Sequence, residues 1–149
     1  MPSRRSSPPI ELSEMLCFDL YAASRALTAA YRPLLAGLGL AYPQYLVLVV
    51  LWQGREQTVK QLSETLYLDY GTLTPLLRRM QSDGLITRQC RLEDERSVSI
   101  ELSAAGAELR LHERGIHEAI RSGVGLNDQQ VAALQSTHRS ISAATAALA

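Results

Sequence analysis

The stretch that decides the fold is residues 58–86, which read TVKQLSETLYLDYGTLTPLLRRMQSDGLI. Thr58 fits a helix N-cap, and Gln61 three residues later completes a capping box. This pattern predicts a short helix over residues 59 to about 66, followed by a tight turn around residues 67–69 and a second helix. Two short helices joined by a tight turn are typical of a helix-turn-helix.

The start of the second helix is open between two positions. Asp69 fits an N-cap, whereas Pro75 fits best within the first turn of a helix, which would move the start towards Thr72. The helix is expected to end near residues 82–83, with Gly84 after its C-cap. Its polar side chains include Thr72, Thr74, Arg78 and Arg79.

The hydrophobic period changes after Gly84. Residues 85–91 and 98–102 predict two strands, the second with alternate positions facing inward, Val98, Ile100 and Leu102. The charged turn between them carries Arg96. A hairpin that directly follows a helix-turn-helix is a winged-helix arrangement.

The segments before the helix-turn-helix also predict helices. Apolar residues recur at helical spacings over residues 12–38, although Pro33 should kink or interrupt this helix, and Gly37 and Gly39 should end it. Residues 43–52 are apolar nearly all round, so they form a buried helix or a buried strand. The proline at the first of these positions favours the helix.

Two further helices are predicted after the hairpin. Ser103 caps a helix that runs to about Ser122, where Gly123 and Gly125 break it, and a final helix starts at residues 127–130. The first helix and these last two exceed what a winged-helix core needs. We therefore expect a partner subunit to bury their apolar faces, the alternative being an ordinary helical shell on the same chain.

The fold class predicted is mainly α with a small β-hairpin wing: a winged helix-turn-helix with N- and C-terminal dimerisation helices. Residues 1–10 read as a flexible tail and residues 11–149 as one domain. Within it, residues 11–40 and 103–149 form the dimerisation helices and residues 43–102 the winged-helix core.

Composition excludes several classes of protein. The 149 residues are 46% hydrophobic, which is too high for a disordered chain, and the longest apolar run, residues 45–52, is too short to span a membrane. Residues 1–9 lack the apolar stretch of a signal peptide, so we expect a cytoplasmic protein with no membrane partner. Fifteen basic residues balance fifteen acidic ones, so DNA binding would depend on a few locally placed arginines.

The two cysteines are Cys17 and Cys90, and the three histidines lie near neither of them in sequence. They do not form the spacing of a structural zinc site. We expect no metal, no cofactor and no catalytic residue.

Several motifs resemble one family. The runs DYGTLTPLLRRM (residues 69–80), DGLI (83–86) and DER (94–96) resemble the MarR family of winged-helix repressors. The runs LCFDLY (residues 16–21), YRPLL (31–35) and YPQY (42–45) are similar to its organic hydroperoxide-sensing branch, known as OhrR. The resemblance covers nearly the whole chain from Leu12 to the last helix.

The resemblance implies a set of DNA contacts. The second helix of the helix-turn-helix would lie in the major groove of a pseudo-palindromic operator, with matching residues Thr72, Thr74, Pro75, Arg78 and Arg79. Arg96 matches the wing tip that reaches the minor groove, and Asp94 would orient it. Taken alone, a pair of arginines on a helix is more often a solvated face.

The resemblance also implies a redox sensor. Cys17 would be hydrogen-bonded by Tyr31 and Tyr42 of the opposite subunit, and two phenolic donors stabilise the nucleophilic thiolate. An organic hydroperoxide would oxidise Cys17 to sulfenic acid and release the dimer from DNA. Some members of the branch carry a second cysteine in the C-terminal helices. This chain has none after Cys90, so we expect a small-molecule thiol to resolve Cys17, and Cys90 to have no redox role.

Three alternatives remain open at this point. A MarR-type repressor released by a small phenolic ligand would make Cys17 incidental. A thiol peroxidase would turn over many equivalents of peroxide, although the chain lacks the strand–helix alternation of a thioredoxin-like sheet. A winged helix used for protein contacts alone would bind no DNA.

Overall fold

A computed structural model of the chain describes residues 7–54, 56–90 and 98–149. Asp94 and Arg96, the predicted wing-tip residues, lie outside the described residues. The chain forms two compact units, Met1–Leu111 and His112–Ala149. The prediction of one domain over residues 11–149, like that of a flexible tail, stays a prediction.

The first unit begins with a 3₁₀ turn, Leu12–Glu14, followed by helix α1, Leu16–Ala36. Helix α1 therefore starts four residues later than predicted. Residues 12–14 form the 3₁₀ turn instead, and the chain is extended at Met15. Pro33 lies inside α1 without interrupting it, which corrects the expectation of a break there. The last turn persists because Leu35 is fully buried against the core.

Helix α2, Tyr42–Gln53, is the centre of the first unit. It confirms the helical interpretation of the apolar segment, with Pro43 at the second helical position instead of the first. Gln44 caps its own helix by accepting a hydrogen bond from the backbone N–H of Ala41 at 2.9 Å. Its buried residues are Gln44, Tyr45, Val47, Leu48, Leu51 and Trp52.

The helix-turn-helix comprises α3, Val59–Leu66, and α4, Tyr70–Ser82. The predicted capping box is confirmed, since Thr58 and Gln61 exchange hydrogen bonds of 2.8 and 3.1 Å. Asp69 is the N-cap of α4, because its Oδ1 accepts from Thr72 N–H at 2.7 Å. Pro75 is therefore the sixth helical residue.

A three-stranded antiparallel sheet completes the winged core. Its strands are β1, Gln57–Thr58, β2, Ile86–Cys90, and β3, Val98–Leu102, in the order β1-β3-β2. Strand β1 was not predicted because two residues are too few to show a period. In β3 both Ile100 and Ser99 are buried, so the predicted alternation holds only in part. The Ser99 hydroxyl donates a hydrogen bond to the carbonyl of Gln89 at 3.4 Å, which gives this buried polar group a partner.

The predicted helix from Ser103 to Ser122 is wrong, because it is divided into three parts. Ser103 does cap a helix, α5, but α5 covers only Ala104–Glu108 and gives way to a 3₁₀ turn, Leu109–His112. The carbonyl of Gly106 accepts a hydrogen bond from Trp52 Nε1 at 3.0 Å. In a continuous α-helix the same carbonyl would accept a hydrogen bond from the backbone N–H four residues later, so the indole of Trp52 competes for this acceptor.

The second unit contains α6, Glu113–Val124, and α7, Asp128–Ala146. Gly123 lies within α6, and Gly125 alone ends it, with φ of +70°. Asn127 caps α7 as predicted. No described residue of α7 is buried in the single chain.

The tightest contact between α5 and the wing predicts a stability effect. A Cβ added at Gly106 would lie 2.1 Å from the carbonyl oxygen of Leu85, so a backbone segment would have to move. Gly106→Ala should therefore lower the free energy of unfolding by about 2–3 kcal/mol, measured by urea denaturation. Gly115→Ala is the control, because its Cβ would meet nothing within 4 Å. This variant should stabilise the chain by up to about 1 kcal/mol. Equal stabilities of the two variants would contradict the contact.

Candidate functional site

Helix α4 presents one face to the core and the opposite face to solvent. Leu73, Leu77 and Met80, spaced by four and three residues, are fully buried. The five predicted DNA-reading positions lie outside this buried stripe. Thr74 is half-buried, and the other four are exposed: Thr72, Pro75, Arg78 and Arg79.

The two arginines of α4 are available for a ligand. Neither Arg78 nor Arg79 forms an ion pair with any residue in ranges 7–54, 56–90 and 98–149. Two unpaired cations on an exposed helix face are suited to phosphate groups. The N-terminus of the same helix adds the positive end of its dipole, partly offset by the Asp69 carboxylate.

The structure adds two exposed phenols beside this face that the sequence reasoning missed. Tyr67 is 87% exposed and forms the turn between α3 and α4, and Tyr70 is the first residue of α4. Tyr67 has φ of +55°, a left-handed conformation that glycine or asparagine usually adopts. The sequence signal that could have identified this feature was an aromatic residue in the turn of a predicted helix-turn-helix, where glycine or asparagine is usual.

The predicted sensor residues fall into two groups. Tyr31 and Tyr42 are brought together by α1 and α2, with ring centroids 4.7 Å apart. The ring centroid of Tyr45 lies 5.8 Å from that of Tyr31 and 6.0 Å from that of Trp52. We call these four side chains, Tyr31, Tyr42, Tyr45 and Trp52, the aromatic row.

Cys17 lies far from the aromatic row of its own chain. It is an exposed residue in the first turn of α1, fourteen residues before Tyr31 on the same continuous helix. A rise of 1.5 Å per residue separates the two positions by about 21 Å. One chain therefore cannot bring the thiol and the phenols into contact.

The two phenols are held in their neutral form. Burial raises the pKa of Tyr31 above its ordinary value, and the neighbouring Tyr42 raises it further. Burial also raises the pKa of Tyr42. A phenol that keeps its proton is a hydrogen-bond donor to an anion.

The N-terminal half of α1 exposes an apolar surface. Tyr21 and Leu27 are 57% and 43% exposed, whereas Leu35 near the other end is fully buried. The exposed set, which we call the α1 apolar surface, is Met15, Leu16, Phe18, Tyr21 and Leu27. Leu16 and Phe18 flank Cys17 in sequence, and Tyr21 lies one helical turn after it, so the exposed thiol lies beside exposed apolar side chains.

The remaining sequence predictions concern Cys90, metal sites and membrane spans. Cys90 is exposed at the end of β2, opposite Val98. Within the described ranges, no group of three or more metal-ligating side chains comes together, and no helix is both long and apolar enough to cross a bilayer.

Comparison with known proteins identifies the family. The family described as transcriptional regulator SarA/Rot matches residues 29–110. The chain belongs to this family of winged-helix transcriptional regulators. It is 54% identical over 101 residues to the organic hydroperoxide resistance transcriptional regulator of Bacillus subtilis, covering 68% of this chain and 69% of that one.

Two further relatives agree with this assignment. The HTH-type transcriptional regulator MgrA of Staphylococcus aureus is 36% identical over 121 residues, which covers 80% of this chain and 82% of that one. Overoxidised AbfR of Staphylococcus epidermidis, bound to DNA, has a TM-score of 0.72 and 31% identity, covering 88% of this chain and 93% of that chain.

These matches confirm the predicted MarR-type family and its organic hydroperoxide branch, together with the mainly helical winged fold. The chain is a DNA-binding transcriptional regulator. Its relatives are regulators and not enzymes, so the thiol peroxidase alternative is excluded.

The raised phenol pKa values predict a loss of stability in alkaline solution. Below about pH 10 both phenols are neutral in the folded and the unfolded chain, and above it the unfolded chain ionises first. The free energy of unfolding should therefore fall as the pH rises past about 10. The variant carrying Tyr31→Phe and Tyr42→Phe should lose less stability over the same range in urea unfolding.

Tyr67→Phe is the control for this titration, because it removes a phenol that is 87% exposed and leaves the pair intact. It should keep the alkaline loss seen in the wild type. An identical alkaline loss in the double variant would contradict the burial of these two hydroxyls.

Proposed function

We propose that this regulator is a dimeric repressor released from its operator when an organic hydroperoxide oxidises Cys17. The observation that carries the proposal is the separation of about 21 Å along α1 between Cys17 and Tyr31, against which Tyr42 packs. A thiol and two phenolic donors that cannot meet in one chain form a complete site only across two chains.

The exposed side chains around Cys17 support a dimer. The α1 apolar surface includes residues next to the thiol, and no residue of α7 is buried. Exposed apolar side chains clustered on one helix are typical of a protein–protein interaction surface. In a twofold dimer, Cys17 of each chain would approach Tyr31 and Tyr42 of the other, which gives two equivalent sensor sites.

The chemistry at each site is a two-electron oxidation. The Cys17 thiolate attacks the terminal oxygen of the hydroperoxide, an S–O bond forms and the O–O bond breaks. The sulfur is oxidised to sulfenic acid, and the peroxide is reduced to an alkoxide that takes a proton and leaves as an alcohol. Tyr31 and Tyr42 remain protonated, so they can donate hydrogen bonds to the thiolate and to the departing oxygen.

A small-molecule thiol then completes the reaction. It condenses with the sulfenic acid to give a mixed disulfide and water. Cys90 is placed at the end of a wing strand, and no other cysteine follows it in the chain. An external thiol is therefore the resolving partner proposed here.

The surroundings of Cys17 favour organic peroxides over hydrogen peroxide. Leu16 and Phe18 flank the thiol in sequence, and both are exposed in the single chain. Covered by a second chain, they would form an apolar entrance that gains free energy from contact with an alkyl group. Hydrogen peroxide offers no alkyl group.

DNA binding is assigned to the exposed face of α4. Thr72, Thr74 and Pro75 lie near its N-terminus, where short side chains allow close approach to a groove. Arg78 and Arg79 would neutralise phosphates, and Arg96 oriented by Asp94 would enter the minor groove. Two copies of α4 in a dimer would match successive major grooves of a pseudo-palindromic operator.

Release of the dimer from DNA follows from the requirement that both copies of α4 bind at the same time. The mixed disulfide is larger than the thiolate that the phenols contact, so the two chains would have to reorient at the sensor sites. Because both copies of α4 must fit successive grooves, a modest rotation removes most of the specific affinity.

A complementation experiment tests the shared site. Cys17→Ser should keep DNA binding and lose release by cumene hydroperoxide, and the Tyr31→Phe, Tyr42→Phe double variant should react slowly. A refolded mixture of the two variants contains heterodimers in which one intact Cys17 faces two intact phenols. Rapid sulfenic-acid trapping, mapped by mass spectrometry, should therefore return in the mixture on the double-variant chain.

The two homodimers, treated separately, are the controls for this mixture. If the mixture reacts no faster than they do, the site is not shared between chains. A wild-type protein that gives no adduct at Cys17 with cumene hydroperoxide would contradict the sensor itself and favour release by a phenolic ligand.

The DNA-binding face is tested by salt dependence. Arg78→Ala and Arg79→Ala should each weaken binding to duplex DNA from upstream of the gene, and each should lower the slope of log affinity against log salt by about 1. Fluorescence anisotropy measures both quantities. The control is Arg114→Ala on α6, whose guanidinium pairs with Glu118 at 3.8 Å. Unchanged slopes in both α4 variants would contradict the assignment.

A further inference from the structure

A cavity of about 450 Å3 lies in the first unit, beside Tyr42. It is formed by the C-terminal half of α1, the turn after it and the start of α2. The side chains used below are Thr28, Arg32, Ala36, Leu40, Tyr42 and Pro43. The volume lies within the usual range of small-molecule pockets.

The cavity combines an apolar wall with one cation. Among the described residues that line it, Arg32 is the only one with a charged side chain. No hydrogen bond or ion pair joins Arg32 to another residue in the part of the chain that the structure describes. Ala36, Leu40 and Pro43 supply the apolar lining, and the Tyr42 hydroxyl belongs to the proposed sensor site.

We propose that this cavity binds the carboxylate of an aliphatic hydroperoxy acid, with Arg32 as the anion partner. A guanidinium pairs with a carboxylate through two parallel hydrogen bonds, which fixes the orientation of the ligand. The alkyl chain then lies against Leu40 and Pro43, and the hydroperoxide is directed towards Tyr42. The inference rests on the proposed function, because the Cys17 of a second chain would meet the peroxide beside that phenol.

The bound acid reacts as any organic hydroperoxide does at this site. The thiolate sulfur takes the terminal oxygen, the O–O bond breaks and the alkoxide is protonated to an alcohol. The carboxylate does not change during the reaction. Arg32 is therefore a specificity-determining residue, and it contributes only for substrates that carry an anion.

A comparison of three peroxides tests this role. The probes are the ω-hydroperoxy derivative of octanoic acid, its methyl ester and cumene hydroperoxide, each mixed with the full-length protein under pseudo-first-order conditions. The rate of Cys17 oxidation in the wild type should be about tenfold higher with the acid than with the ester. Arg32→Gln should lower the rate with the acid to that with the ester, so that the ratio of these two rates falls from about ten to about one.

Arg25→Gln is the matched control, since Arg25 lies on the same helix, over the ring of Tyr21, and does not line the cavity. It should keep the preference for the acid. A second measurement uses octanoate, which cannot oxidise a thiol. Octanoate should slow oxidation by cumene hydroperoxide in the wild type and have no effect in Arg32→Gln.

The outcomes separate the two proposals. No oxidation of Cys17 by cumene hydroperoxide in the wild type would overturn the proposed function. Equal rates with acid and ester in the wild type, alongside normal cumene hydroperoxide oxidation, would overturn only the role of Arg32. If Arg32→Gln slows oxidation by all three peroxides alike, the guanidinium has a structural role, for example by pairing with a carboxylate of a second chain. That result would also overturn the inference.

Discussion

The unbroken length of α1 is the constraint on which the rest of this molecule depends. Because the helix continues from Leu16 through Pro33 to Ala36, it holds the exposed thiol of Cys17 at one end and Tyr31 near the other. The same helix leaves its N-terminal apolar side chains uncovered and buries Leu35. The geometry that separates the reactive groups thus also supplies the surface through which a second chain can reunite them.

The DNA-binding half is stabilised by a different kind of contact. Helix α5 approaches the wing so closely that only a glycine fits at position 106, against the carbonyl of Leu85. The same residue accepts the indole N–H of Trp52, and Ser103 accepts from its N–H while donating to Gly84. These bonds join α2, α5 and the end of α4 around one buried point. The exposed face of α4 therefore belongs to a framework that these contacts join to α2 and α5.

The sequence predicted those parts of the fold that depend on local chemistry. The capping residues Thr58, Asp69, Ser103 and Asn127 each satisfy backbone N–H groups within three residues, so a local pattern was sufficient. The division of the helix after Ser103 coincides with a hydrogen bond from Trp52, which lies more than fifty residues away, and no local pattern carries that information. Strand β1 is similar, since it exists only because β3 offers an edge. Of the candidate site, the residue types and their numbers came from the sequence, whereas the distance between the thiol and the phenols came from the length of α1.

The aromatic row connects Tyr31 and Tyr42, the phenols of the proposed sensor site, to the wing. Tyr42 packs on Tyr31, Tyr31 on Tyr45 and Tyr45 on Trp52, at centroid distances between 4.7 and 6.0 Å. Trp52 in turn bonds to Gly106, which lies against the backbone at the start of the wing. Tyr45 and Trp52 are buried, and a close-packed interior has few voids into which a displaced ring could relax. A larger group at the proposed sensor site that pushes Tyr31 towards Tyr45 would therefore act on α2 and, through Trp52, on the wing.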